Sequence, residues 1–227
     1  YAVGGGKVGS PWWLKSVKVY DPITGRLGPT QNTAAGSHPW WNFIASMNTP
    51  RESHGVAALG GKLYAVGGTT GTAPPPGTAI ASAEVYDPAD PSGGWKYIAS
   101  MNIPRVKFAV VALGGKLYAV GGAATAGGAA GGVLSSVEVY DPADPSGGWN
   151  YIASMNTARG MLGGAALGGK LYAMGGWPAA GGGSQTSSVE VYDPSLVQMP
   201  QITYQGEDFY ISHARGGPKT FVIPHPE

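Results

Sequence analysis

A block of 54 residues repeats along this chain. Residues 51–104 align with residues 105–158 without a gap and share 33 of those 54 positions. Four side-chain types recur at the same step: Trp41, Trp95 and Trp149; Met47, Met101 and Met155; Arg51, Arg105 and Arg159; Tyr64, Tyr118 and Tyr172. Asp-Pro pairs begin at Asp21, Asp87, Asp141 and Asp193 at less even intervals, so the differences in length fall in loops. A unit of about 50 residues buries too little surface to stand alone. It must fold as one member of an array whose neighbours cover its apolar face.

Within a unit the pattern is that of short strands. Gly55 to Leu59 and Lys62 to Val66 flank Gly60-Gly61, a pair able to adopt the positive φ values of a two-residue hairpin. Gly67-Gly68 ends the second strand, and a Gly/Pro-rich loop from Thr69 to Ala81 follows. Glu84-Val85-Tyr86 reads as a third strand stopped by Asp87-Pro88, because Pro fixes φ and has no ladder donor. After Asp90-Pro91-Ser92-Gly93-Gly94, the run Trp95 to Ala99 is a fourth strand. The 39 Gly and 19 Pro thus punctuate strands, and their number argues against a helical bundle. The expected fold is all-β, with four-stranded antiparallel sheets stacked radially and the recurring Trp and Tyr packed between them.

Leu63-Tyr64-Ala65-Val66-Gly67-Gly68, then Glu84-Val85-Tyr86-Asp87-Pro88, then Trp95, Met101 and Arg105 resemble the kelch repeat. The same signature recurs at 117–122 with 138–142 and Trp149, and at 171–176 with 190–194. A drifted copy lies at 1–5, 18–22 and Trp41. The resemblance covers residues 1–194, in units 1–50, 51–104, 105–158 and 159–194, and implies a kelch-like β-propeller of about 3.5 to 4 blades. Its strands number three, four, four and three, which leaves an open sheet at each end. Three closures are open: strands from the non-repeat tail 195–227, a longer propeller, or a partner. The tail has β-prone pieces at 201–205, 209–212 and 220–223 but no tryptophan or methionine in the register of the repeat, and the second and third closures are favoured.

The resemblance places binding on the loops between second and third strands and on the connections from fourth to first strands. Loops 69–81 and 123–134 contain no ionisable residue, which weighs against catalysis. Trp12, Trp13 and Trp177 stand in such loops without a tryptophan counterpart in the other repeats. They read either as anchors for a partner or a sugar ring, or as caps on sheet edges. Arg51, Arg105 and Arg159 lie in the connections, where guanidinium forks can grip a ligand carboxylate or bond to backbone carbonyls. Three residues on, His54, Phe108 and Leu162 differ, and Lys107 precedes Phe108, so His54 and Lys107 join the candidate list.

With no cysteine, neither a thiolate metal site nor a Cys-Tyr radical cofactor can form, and the four histidines lack metal-ligand spacing. No cofactor, metal or catalytic residue is expected. A net charge of +1 without a Lys/Arg cluster gives no footprint for nucleic acid, and no apolar run is long enough to insert in a membrane as a helix. The sequence therefore points to a non-catalytic protein-binding or assembly module. A carbohydrate-binding propeller is the alternative, and a sugar-isomerase-like enzyme ranks third.

Overall fold

The structure, a computed structural model, describes residues 2–6, 13–20, 41–71, 77–126, 132–178, 184–196, 201–205, 208–212 and 219–221. Sheet I contains β1 (Ala2–Gly6), β2 (Trp13–Tyr20) and β3 (Trp41–Ile44) in that order. Sheet II is β4 (Gly55–Leu59), β5 (Lys62–Val66), β8 (Ala83–Tyr86) and β9 (Trp95–Ile98); its loop carries a short ribbon of β6 (Thr69–Thr70) with β7 (Thr78–Ala79). Sheet III runs β10 (Ala109–Leu113), β11 (Lys116–Val120), β12 (Val137–Tyr140) and β13 (Trp149–Ile152), and sheet IV holds β14 (Gly163–Leu167), β15 (Lys170–Met174) and β16 (Val189–Tyr192). All pairings within them are antiparallel. These are the blades read from the sequence, with the expected three, four, four and three strands.

The tail forms β17 (Gln201–Gln205), β18 (Asp208–Ser212) and β19 (Lys219–Phe221), close to the three predicted pieces. They hydrogen-bond to one another as a separate sheet, and neither sheet I nor sheet IV includes them. The small ribbon in loop 69–81 is a departure from the sequence reading. Its four positions include three β-branched threonines, which favour extended backbone within an otherwise loop-like stretch.

Local chemistry accounts for the strand ends. In the hairpin between β4 and β5, Gly60 and Gly61 have φ of 57° and 75°, the paired left-handed values of a type I′ turn. The glycine pairs after β5 and β11 serve a close approach between blades. Gly121 sits at φ 61°, and a Cβ there would stand 2.5 Å from the carbonyl oxygen of Arg159. The N–H of Gly122 donates to that oxygen at 2.7 Å, as Gly68 does to Arg105 at 2.8 Å. The Asp-Pro turn is an Asx turn in which Asp87 Oδ1 accepts from the Ala89 N–H at 2.9 Å. Lys170 binds the corresponding Asp193 at 2.8 Å. That hydrogen bond, with two more from Ser195, holds the Asp193 carboxyl at about 2.

Packing between blades forms the core. Val17, Met47, Leu63, Ala65, Tyr86 and Trp95 join sheets I and II. Met101, Leu117, Ala119, Tyr140 and Trp149 meet Val66 and Ala83 between sheets II and III. Val111, Val120, Val137, Leu171 and Ala173 lie between sheets III and IV. Each fourth-strand tryptophan stacks on the third-strand tyrosine beside it, at 5.6 Å for Trp95–Tyr86 and 5.4 Å for Trp149–Tyr140. Its indole N–H reaches the preceding blade, donating to Ala45 O and Ala99 O respectively, each at 2.9 Å. The expectation that the recurring Trp and Tyr are packing residues holds for Trp95, Trp149, Tyr64 and Tyr118, which are buried; Tyr172 is half-buried, and the side chain of Trp41 lies outside the described residues.

Candidate functional site

The three arginines occupy one environment repeated three times. Arg105, fully buried, donates through Nη1 to Gly121 O and Ser136 O, through Nη2 to Ser136 Oγ and Glu138 Oε1, and through Nε to Glu138 Oε1. All five N–H groups are engaged. Arg51 repeats this with Gly67, Ser82 and Glu84, and Arg159 with Gly175, Ser188 and Glu190. The carboxylates are held from the other side by backbone N–H groups: Glu84 by Asn48 and Thr49, Glu138 by Asn102, Glu190 by Asn156 and Thr157. These nodes tie each connection to the second and third strands of the blade that follows it. The carboxylate that the forks grip is therefore the protein's own, and no arginine donor is left over for a ligand.

Sequence reasoning missed the glutamates. The signal was present: Glu84 and Glu138 follow their arginines by 33 residues, and Glu190 by 31. Burial raises the pKa of Glu190, but hydrogen bonds from Asn156, Arg159 and Thr157 outweigh it and leave the carboxyl below its ordinary range.

Ser53, Lys107 and Met161, two residues after each arginine, sit at φ of 53°, 54° and 52°, a left-handed conformation uncommon outside glycine. Their backbones link successive blades: the Lys107 N–H donates to Ser53 O at 3.0 Å, and the Met161 N–H to Lys107 O at 2.7 Å. Lys107 is thus a joint in the backbone between blades.

His54 holds the place of Phe108 and Leu162, with both ring nitrogens sealed from solvent and without a hydrogen-bond partner. Burial, reinforced by the nearby Arg51 charge, lowers its pKa from 6.5 to about 4. The folded protein therefore binds fewer protons than the unfolded chain between those values. Stability is full above pH 6.5 and declines as the pH falls towards 4, by at most about 3 kcal/mol. Thermal melts at pH 7 and pH 4.5 check this: His54→Phe is expected to melt higher at pH 4.5 than the parent chain and to lose most of the difference between the two pH values.

The structure does not bring the candidate tryptophans together. Trp12 lies outside the described residues, and so does the side chain of Trp13, whose backbone pairs with Gly6 at the start of β2. Trp177 is 40 % exposed and forms a backbone bridge with Gly160. It has counterparts after all: Thr69 and Ala123 make the same bridge to Glu52 and Val106, and both are buried. The position is buried in sheets II and III and open in sheet IV.

Sheet IV also exposes apolar side chains on the face turned away from sheet III, the counterpart of the face that sheet III packs against sheet IV. Val189 is 56 % exposed where its equivalent Val137 is 3 %, and Val191, Leu167 and Met174 are exposed as well. Among the described residues no cluster of His, Asp or Glu could hold a metal ion, and no helix is long and apolar enough to cross a membrane.

The sequence is similar to known kelch-repeat proteins. The kelch motif matches residues 50–102, 104–156 and 158–196. Kelch-like protein 9 of Mus musculus is 40 % identical over 87 residues, covering 38 % of this chain and 14 % of that protein. Kelch repeat and BTB domain-containing protein 13 of Homo sapiens is 37 % identical over 123 residues, 51 % of this chain and 23 % of that protein. An F-box/kelch-repeat protein of Arabidopsis thaliana is 36 % identical over 121 residues, 53 % and 30 % of the two chains. The chain spans less than a third of the length of each of these relatives. The matched stretches begin at the arginine-bearing connections and run through the glycine pairs and Tyr-Asp-Pro turns of sheets II to IV, and the chain belongs to the kelch-repeat family.

Proposed function

We propose that this chain is a non-catalytic protein-binding or assembly module. The observation that carries the reading is the apolar face of sheet IV, where Leu167, Val189 and Val191 are more than half exposed although their sheet is otherwise a regular blade. Contiguous apolar surface of this kind marks contact with another protein. Trp177 and Met161, 40 % and 56 % exposed, extend it on the loop side, Trp177 in the anchoring role tryptophan commonly takes at interfaces. The arginine nodes and His54 support the scaffold. Loops 69–81 and 123–134 offer no acid, base or nucleophile of the kind catalysis requires.

Affinity purification of the tagged chain tests this. A stoichiometric protein partner is expected, and the double variant Val189→Asp with Val191→Asp is expected to lose it while melting as the parent does. Recovery of the chain alone from every source overturns the reading.

A further inference from the structure

The outer edge of sheet IV carries a cavity of about 190 Å³ lined by Val120, Val137, Met155, Leu171, Ala173 and Tyr192. One repeat earlier, the equivalent residues Val66, Ala83, Met101, Leu117, Ala119 and Tyr140 share a buried cluster with Trp149. Two repeats earlier, Val17, Met47, Leu63, Ala65 and Tyr86 do the same with Trp95, and Val3, partly buried, packs against them. The cavity is thus the tryptophan cradle of the interior blades, built a third time.

Its polar fittings are repeated too. Trp95 and Trp149 donate their indole N–H groups to Ala45 O and Ala99 O, and Ala153 lines the cavity at the same register. Asn48 and Asn102 donate through Nδ2 to the carbonyls of Trp95 and Trp149. Asn156 lines the cavity at that register, and its Nδ2 has no acceptor among the described residues. Met155 is half-buried, whereas Met47 and Met101 are 1 % and 3 % exposed. The Glu190 side chain is 18 % exposed against none for Glu84 and Glu138.

We infer that this cradle, together with the edge of β16 that no described strand pairs, is a docking site for a strand of another protein that leads with tryptophan. The inference rests on the protein-binding reading above and specifies its mode. In the interior blades Trp95, Lys96, Tyr97 and Ile98 lie opposite Tyr86, Val85, Glu84 and Ala83. The docked strand therefore runs antiparallel to β16, with Trp opposite Tyr192, two tolerant positions, and an aliphatic residue opposite Val189. Main-chain bonds to the edge supply affinity and the indole pocket supplies selectivity. The chain's own tail does not meet this requirement. Tryptophan follows Asp87 and Asp141 by eight residues, whereas Gln201 holds that place after Asp193 and residues 195–227 contain no tryptophan. The tail strands, moreover, bond to each other.

The probe is a fluorescently labelled synthetic peptide with the sequence of residues 145–156, and a second peptide in which its tryptophan is alanine. Titrated with the whole chain, the first is expected to saturate at one site and the second to bind about tenfold or more weakly, the usual effect of truncating an interface tryptophan. Asn156→Ala in the protein should weaken both peptides, because the bond it removes goes to a main-chain carbonyl that both keep. Equal affinities, or no saturation by the tryptophan peptide, overturn the inference. When a partner is recovered by affinity purification, excess tryptophan peptide should release it and the alanine peptide should not. A partner retained against both peptides overturns the docking mode while the protein-binding reading stands. If no partner is recovered, that reading falls, and the peptide titration still decides the cradle.

Discussion

Replacing Arg105 with alanine is expected to cost about 3–5 kcal/mol of folding stability, the usual result of removing one partner from a buried ion pair. Both side chains of the Arg105–Glu138 pair are wholly buried. Without the guanidinium, Glu138 keeps its bonds from Asn102 but loses its cationic partner, and the carbonyls of Gly121 and Ser136 lose their side-chain donors. For a domain of this size such a loss lowers the melting temperature by roughly 6–20 °C. Arg105→Lys should fall between, because an ammonium keeps the charge but cannot serve five bonds in a fixed plane. The double variant Arg105→Met with Glu138→Leu separates two causes. If the penalty comes mainly from the stranded carboxylate, the double variant is more stable than Arg105→Ala. A double variant no more stable than the single would assign the loss to the bonds with Gly121 and Ser136. Urea or thermal unfolding of the three variants measures this.

Trp149→Ala is the second large effect, with an expected loss of about 3–5 kcal/mol. The indole is 5 % exposed, stacks on Tyr140 at 5.4 Å and bonds to Ala99 O at 2.9 Å. Its removal opens a cavity between sheets II and III and strips one bond from the joint between them. Trp149→Phe keeps most of the apolar area and loses the N–H, so its smaller penalty isolates the hydrogen bond. Tyr97 and Tyr151, at 60 % and 54 % exposure on the same outer strands, serve as controls; alanine there should change stability by a few tenths of a kcal/mol.

The strands were legible because glycine pairs and Asp-Pro turns mark their ends locally. Gly60-Gly61 and Gly67-Gly68 bracket β5 to the residue, and the third and fourth strands fall within a residue of their predicted limits. The role of the arginines was not legible. A guanidinium fork suits a ligand carboxylate and an internal one equally well, and the deciding glutamate lies 33 residues away, on the third strand of the blade that follows the connection. The place of Trp177 was obscured in another way. Its equivalents are Thr69 and Ala123, so the register is one of backbone bridges and leaves no trace in side-chain identity. The cradle on sheet IV was hidden for a related reason: its walls come from two blades, and only their packing shows that a tryptophan site is complete without a tryptophan.

The interfaces between blades carry one further consequence. Sheets I and II meet through the same set of groups as sheets II and III, down to the alanine carbonyl that receives the indole and the methionine beside it. An exchange between the nearly identical stretches 83–102 and 137–156 would therefore add or delete one whole blade and leave every remaining joint with the chemistry it already has. Point changes at Arg105 or Trp149 break a joint, whereas a change in copy number creates or removes one intact. For this chain, the number of blades is a less constrained property than the residues that build them.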